Sequence, residues 1–503
     1  MIGLDAADKD LLLEGCQDGR LPTLQRLRDR GSWGIVESPP GFGSGAVWPS
    51  LYTGVSPARH GRYFYRQVRT GAYEATRFED EHFHAQPIWE ALGEAGRRVA
   101  VFDVPKAGLS SGLNGIHVVD WLVHGPVYHE VRSAPEAVAR ELLDKYGADP
   151  LPQCDFPGMR SPEEHRALVE VFLERIRRKE QATLDYLDRE PWDFFLTVFA
   201  DPHCVGHQCW HVRDPRHPAH DPAARDAVGD PVLAVYQAID ASIGRIIEHV
   251  GGDADVMVLS ATGMGPNYTG NFVLDEILRR LEGKRKTRSL DWLVRAKQQA
   301  KRVLPRDLRS RWRRTSRRIE ERVAHADRER RRLFTVPHND IAGAIRVNLA
   351  GREPSGRVRP EEVDGVFESL RRELLAVRNL ETGEPIVEDV VRIADYCTGD
   401  QLDEMPDFFV LWRRDAPIER VGSPRIGEIV HRQRGNRTGD HRADSILFAS
   451  GAGFVPGRMG TSSIMDVAPT LARLLGVEPP PSDGRPIAEL CGGPAAAGAT
   501  PDR

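Results

Sequence analysis

Short, uninterrupted apolar runs spaced along the chain constrain its fold more than any other feature. Val99-Ala100-Val101-Phe102-Asp103-Val104, Phe194-Phe195-Leu196-Thr197-Val198-Phe199, Val256-Met257-Val258-Leu259 and Phe408-Phe409-Val410-Leu411-Trp412 are each four to six residues long. That length suits a strand, and a strand without polar alternation must be covered on both faces. Helical patterns separate the runs, so the sequence implies an α/β fold with a mostly parallel central sheet between helices. At 503 residues the chain can bury a large core and still carry insertions. We expect a discontinuous catalytic core over 1–121, 191–280 and 335–490. Residues 122–190, with a Pro-rich stretch and helices, read as a cap, 281–334 as an Arg-rich helical insertion, and 491–503 as a flexible tail.

The chemistry begins where the second of these runs ends. His203-Cys204-Val205-Gly206-His207 follows Phe194–Phe199, and imidazoles four residues apart share one side of a helix. Neutral imidazole is the commonest metal ligand, and two or three histidines with an open position typify catalytic zinc. The pair gains weight from its place, since ligands of open α/β sheets gather beyond the carboxyl ends of strands. With 17 histidines in the chain, such a pair can also be a surface accident. His211 lies one turn on and reads as a polar helix residue rather than a third ligand. Met1-Ile2-Gly3-Leu4-Asp5 reads as a buried strand delivering a carboxylate. Ser44, between Gly43 and Gly45, opens an apolar helical stretch where backbone N–H groups can face an anion. His441 lies in Gly439-Asp440-His441-Arg442-Ala443-Asp444, ahead of another apolar run.

An early Asp, a loop hydroxyl, a paired-His helix and a late His form a metallohydrolase pattern, and the chain resembles a known family on wider grounds. Gly3-Leu4-Asp5, Thr53-Gly54, His60-Gly61, Gln86-Pro87-Ile88-Trp89 and Arg346-Val347-Asn348-Leu349-Ala350-Gly351-Arg352-Glu353-Pro354 carry the resemblance. So do Asp440-His441-Arg442, Ile464-Met465-Asp466-Val467-Ala468-Pro469-Thr470-Leu471, Gly476 and Asp483-Gly484. In this order they resemble the alkaline phosphatase superfamily, in its type I phosphodiesterase/nucleotide pyrophosphatase branch. The resemblance implies an alkaline phosphatase-like fold, two zinc-like ions and a Ser or Thr nucleophile, here Ser44. It implies one metal set at His203, His207 and His441, with His203 standing where the family has Asp. The second set would contain Asp5, the nucleophile and an Asp-His pair. That pair is replaced by Ala261-Thr262 within Ser260-Ala261-Thr262-Gly263-Met264-Gly265. Family members also begin earlier relative to the first aspartate.

The replacement shapes the expected chemistry. Asp5 and Ser44 alone make a weak second position, whereas three neutral histidines keep the first complete in number. We therefore expect one divalent ion per chain, Zn being the natural candidate. Either Ser44 or a metal-bound hydroxide attacks a small-molecule phosphodiester or related phosphate or sulfate ester. A second reading is a catalytically inactive relative that binds a phosphorylated or sulfated ligand. The sequence assigns neither a substrate-binding residue nor an oligomeric state.

Composition adds exclusions. A net charge of −5 is too small to point to a partner, and no nucleic acid is expected. The stretch from Gly283 to Arg332 is dense in Arg and Lys around Trp292 and Trp312, which raises a third reading, a basic interaction surface. Glu320, Glu321, Asp327 and Glu329 offer intrahelical partners there, favouring a solvated helical insertion. Six cysteines (Cys16, Cys154, Cys204, Cys209, Cys397, Cys491) show no CxxC spacing, which argues for a reducing compartment and for packing roles at Cys204 and Cys209. No stretch approaches a membrane span and no apolar h-region follows the start, so a soluble, cytoplasmic protein is expected.

Overall fold

The computed structural model describes residues 1–151, 159–252, 254–284, 324–431 and 435–492. Most of the expected Arg-rich insertion (285–323) and of the expected tail (493–503) lies outside the described residues. The chain forms two compact units, a division the apolar pattern did not anticipate. One comprises Met1–Arg62, Asp80–Asn267 and Arg434–Arg503, the other Tyr63–Glu79 and Tyr268–Gln433.

In the first unit the strand Ile2–Leu4 lies between Phe194–Phe199 and Val256–Ser260, parallel to both. The sheet continues in parallel through Val99–Phe102 and Gly115–Val119, then ends on the antiparallel strand Arg132–Ala134. On the other side Asp444–Ser450 runs antiparallel to both Val256–Ser260 and Ser32–Glu37. Gly457–Arg458 and Ser462–Ser463 pair in parallel along the outer edge. Six of these nine pairings are parallel, so the sheet is mostly parallel, as the apolar runs imply.

The central strand shows why both faces are covered. Ile2 and Leu4 bury in a core cluster with Leu11 and Leu12 of helix Lys9–Gln17, Phe172 of Pro162–Leu187 and Ile243 of Pro231–Val250. Gly3 points the other way, where a Cβ would meet Trp48 of helix Ser44–Thr53 at 3.0 Å. The helices start on acidic caps: Asp8 accepts from Leu11 N at 2.6 Å and Asp230 from Leu233 N at 3.1 Å. Asp240, within Pro231–Val250, accepts from Thr23 N and Leu24 N at 3.0 and 2.8 Å. It thereby satisfies the open N-terminus of Pro22–Arg30, which lacks a cap of its own.

Residues 122–190 supply the edge strand Arg132–Ala134 and helices Glu136–Tyr146 and Pro162–Leu187. Leu168, Phe172 and Ile176 of the longer helix belong to the main core cluster.

The second unit holds an antiparallel sheet in the order Leu333–Thr335, Ala342–Val347, Phe408–Trp412, Val387–Arg392, with helices Asn271–Leu281 and Val363–Leu375 packed in its core. Phe408–Trp412 is thus a buried strand, but its neighbours are antiparallel, which corrects its reading as part of a parallel sheet. An apolar run reports burial on both faces and carries no information about the direction of its neighbours. Arg346, within the segment quoted for the resemblance, donates from Nε to Glu353 Oε1 at 2.7 Å, and Arg352 holds Asp407 at 2.7 Å, so this segment is structural. No described helix is long and apolar enough to cross a membrane.

Lys179 is paired with Asp103 and both side chains are buried. Asp103 also accepts from Trp121 N and Leu122 N, each at 2.8 Å. Lys179→Met leaves that carboxylate without its counter-charge and should cost about 3–5 kcal/mol in urea unfolding followed by tryptophan fluorescence. An unchanged transition would show that water reaches the pair.

Candidate metal centre

Helix Asp201–Arg213 begins immediately beyond the carboxyl end of Phe194–Phe199, and every residue from Asp201 to Val212 is buried. His203 and His207 are therefore interior groups, and the surface-accident reading of this pair does not apply. Their Nε2 atoms lie 3.2 Å apart. The tautomer of His207 follows from its surroundings: Nδ1 donates to Gly439 O at 2.6 Å, so Nε2 carries the lone pair. Arg437 Nη2 donates to that Nε2 at 2.9 Å.

His441 arrives from far along the chain on strand Gly439–Arg442, which pairs antiparallel with Gly263–Pro266 and sets Met264 opposite His441. Thr438 N donates to His207 O at 2.7 Å, tying the start of the strand to the helix. Glycine is required on the strand side of this junction, and on the helix side it makes room for Met264. A Cβ on Gly439 would stand 2.2 Å from Gly206 O, and one on Gly206 would stand 2.7 Å from Met264 Cγ. The result is that one nitrogen from each of His203, His207 and His441 lies within 4.8 Å of the others. The rings are separated by 4.4 to 4.9 Å between centroids.

Burial holds His203 and His207 well below the ordinary imidazole pKa. The neighbouring imidazole of His124 adds to the effect on His203, and the charge of Arg437 to the effect on His207. Both are neutral near pH 7, the form that offers a lone pair. Asp440 Oδ1 lies 3.4 Å from His441 Nδ1, placing a carboxylate behind the third imidazole. His211 binds the Thr438 hydroxyl through its ring at 3.0 Å and through its backbone N–H at 3.2 Å. It fastens the strand to the helix, and burial lowers its pKa to about 3.

Asp5 leaves the central strand with its N–H donating to Phe199 O at 3.0 Å. Its Oδ1 accepts from Trp48 Nε1 at 2.8 Å. Burial raises its pKa, opposed by the Trp48 hydrogen bond and then by the charge of Lys106. Ser44 opens the fully buried helix Ser44–Thr53, one turn ahead of Trp48 and so on the same helical face. The far end of this helix is anchored by segments quoted for the resemblance, where Asp483 N and Ser482 Oγ donate to Gly54 O at 2.8 Å each. Ser44 thus shares a helix with Trp48, the residue whose indole holds Asp5. Ala261 and Thr262 are fully buried and run directly into the strand that supports His441.

Sequence reasoning missed His124, Lys106, Arg437 and the role of Asp440. His124 follows the strand Gly115–Val119 in Trp121-Leu122-Val123-His124-Gly125-Pro126, a turn beyond a strand that could have marked it. Its ring lies 4.1 Å from that of His203. Ala6, Asp103, Lys106 and Asp120 all have positive φ, and three of them sit just past the carboxyl ends of neighbouring strands. Such backbone strain concentrates at functional sites. A separate cavity of about 780 Å³ opens among Ile2, Phe194 and Val256, at the opposite, amino ends of the strands.

Comparison with known proteins agrees with the motifs. The type I phosphodiesterase / nucleotide pyrophosphatase family model matches residues 1–431. No curated protein matches the sequence. Among solved structures, murine ectonucleotide pyrophosphatase / phosphodiesterase 5 is similar at 12% identity over 96% of each chain, with a TM-score of 0.49. Its human counterpart is similar at 12% identity over 96% of each chain, with a TM-score of 0.47. Phosphonoacetate hydrolase from Sinorhizobium meliloti 1021, in complex with phosphonoformate, is similar at 15% identity over 89% of each chain, with a TM-score of 0.49. The family match extends over most of the sequence, and the chain belongs to the type I phosphodiesterase/nucleotide pyrophosphatase family of phosphoester hydrolases.

Proposed function

We propose that this chain hydrolyses small-molecule phosphodiesters with Ser44 as the nucleophile, using one divalent ion, Zn in the first instance, held by His203, His207 and His441. The supporting observation is the spacing of the buried imidazoles. The 3.2 Å between His203 Nε2 and His207 Nε2 compares with about 3.3 Å between two nitrogens bound at 2.0–2.1 Å to a tetrahedral centre. The donor set also fits: both rings are neutral, and the Nδ1 of His207 is engaged by a carbonyl, as expected for a ligand imidazole. A divalent ion at these nitrogens supplies a Lewis acid for a phosphoryl oxygen.

The chain's own groups do the rest. Ser44 Oγ forms the bond to phosphorus as the phosphorus–ester oxygen bond breaks, the hydroxyl proton passing to the departing oxygen, which leaves as the alcohol. Water then hydrolyses the phosphoryl–Ser44 bond and returns a proton to Ser44 Oγ. The N-terminal end of helix Ser44–Thr53 favours negative charge beside that hydroxyl. With His203 where the family has Asp, the ligand set is neutral, so the loaded site is more positive and suits an anionic ester. Arg437, 2.9 Å from His207 Nε2, would exchange that lone pair for a phosphoryl oxygen if an ion took the lone pair.

Metal analysis of the purified chain, with chromogenic phosphomonoesters, phosphodiesters and sulfate esters, tests the reading. We expect one tightly held ion and the fastest turnover on a phosphodiester. A chain that binds the ion and turns over none of the three classes is the inactive relative. Ser44→Ala should keep the ion and lose at least about 10⁴-fold in kcat, while His441→Ala should lose both. A loss of only about 10²–10³-fold for Ser44→Ala would make the hydroxyl a hydrogen-bond donor instead.

Arg437→Ala removes the guanidinium from the His207 lone pair. Affinity for the ion, measured against a chelator, should rise about three- to tenfold while KM for the ester also rises. Unchanged affinity would mean that Arg437 does not compete for His207.

A further inference from the structure

We propose that His124 and Cys204, together with His203, form a second cation site of mixed nitrogen and sulfur donors beside the three-histidine group. One ligand atom from each of these residues lies within 4.8 Å of the others. Cys204 Sγ is 3.7 Å from His124 Nδ1, and the His124 and His203 rings are 4.1 Å apart between centroids. Cys204 is 1% exposed and His203 2%, so both donors are interior.

His203 belongs to both groups. Its Nε2 faces His207 at 3.2 Å, and its Nδ1 is buried with no hydrogen-bond partner. An imidazole that binds a metal through one nitrogen almost always engages the other. A cation at the second group supplies that engagement for His203, which then bridges the two positions. Loading both displaces the Cys204 thiol proton and the His203 ring proton to solvent.

The loop that carries His124 is held in place by other parts of the chain. Lys106 Nζ donates to His124 O and to Gly125 O, each at 3.0 Å. Asp103 receives Trp121 N and Leu122 N at 2.8 Å each, and Asp120 receives Val127 N at 2.9 Å. Asp103, Lys106 and Asp120 adopt positive φ to make these contacts. Three buried or charged anchors and three strained residues thus serve a short turn whose side chain is an imidazole directed at Cys204 and His203.

The donor chemistry selects the ion. Two imidazoles and a thiolate favour a zinc-like cation over magnesium or calcium, and three protein ligands leave a position open. His124 is only half-buried, so this ion exchanges more readily than one held by three buried histidines. The site shares His203 with the group proposed above and does not need that group to be loaded.

Cobalt titration of the chelator-stripped full chain tests the proposal. The wild type should take up a second equivalent of Co²⁺ with a thiolate-to-cobalt charge-transfer absorption in the near ultraviolet. Cys204→Ser should lose that absorption and one equivalent, keeping the visible cobalt bands of the three-histidine group. His441→Ala, which disables only the first group, should keep the thiolate absorption. His124→Ala, a change on a half-buried turn that tests the site without altering the core, should weaken the thiolate-bearing equivalent by more than about tenfold. Absence of the thiolate absorption in wild type at excess Co²⁺, or its persistence in Cys204→Ser, overturns the second site. Visible cobalt bands that are the same in wild type and His441→Ala overturn the three-histidine reading instead.

Discussion

The close approach of strand Gly439–Arg442 to helix Asp201–Arg213 is the constraint on which the rest of the site depends. The backbones can come this near because Gly439 carries no Cβ, which would stand 2.2 Å from Gly206 O; a Cβ on Gly206 would meet the Met264 side chain instead. The contact replaces side-chain packing with backbone hydrogen bonding: Thr438 N donates to His207 O, and Gly439 O accepts from the His207 ring. The same junction therefore sets the tautomer of one imidazole and brings in another from more than two hundred residues away. Met264, beneath Gly206 and opposite His441, completes the support.

This arrangement gives a structural role to the segment 260–265. Ala261 and Thr262 provide neither carboxylate nor imidazole, yet they lead into Gly263–Pro266, the strand that pairs with Gly439–Arg442. The lasting positive charge that acts on the Asp5 carboxylate comes from another element, Lys106. Lys106 and His124 lie beyond the ends of neighbouring parallel strands, where an open α/β sheet gathers its chemistry.

Electrostatics and burial pull against each other throughout the site. Desolvation keeps His203 and His207 neutral and so able to offer lone pairs, while the same burial raises the pKa of Asp5. Arg437 occupies the His207 lone pair and also lies 3.5 Å from Asp440. A single guanidinium therefore touches both an imidazole and the carboxylate behind another one.

Much of the fold was legible in the sequence because burial leaves a compositional trace. Phe194–Phe199 and Val256–Leu259 read as buried strands, and both flank the strand that delivers Asp5. His203 and His207 could be paired from their spacing alone, because helix geometry fixes which residues share a face. Strand direction was not legible: Phe408–Trp412 is equally apolar yet antiparallel to its neighbours, since apolar content records coverage and not chain sense. Nor was His124, Arg437 or the two-unit division, because these depend on contacts between segments distant in sequence that no local pattern encodes. By itself the sequence determined the strands, the helix faces and the family. Only the tertiary structure decided that a turn at His124 meets Cys204, and that a glycine at 439 lets His441 reach His207, because backbone approach and loop anchoring exist only once the chain is folded.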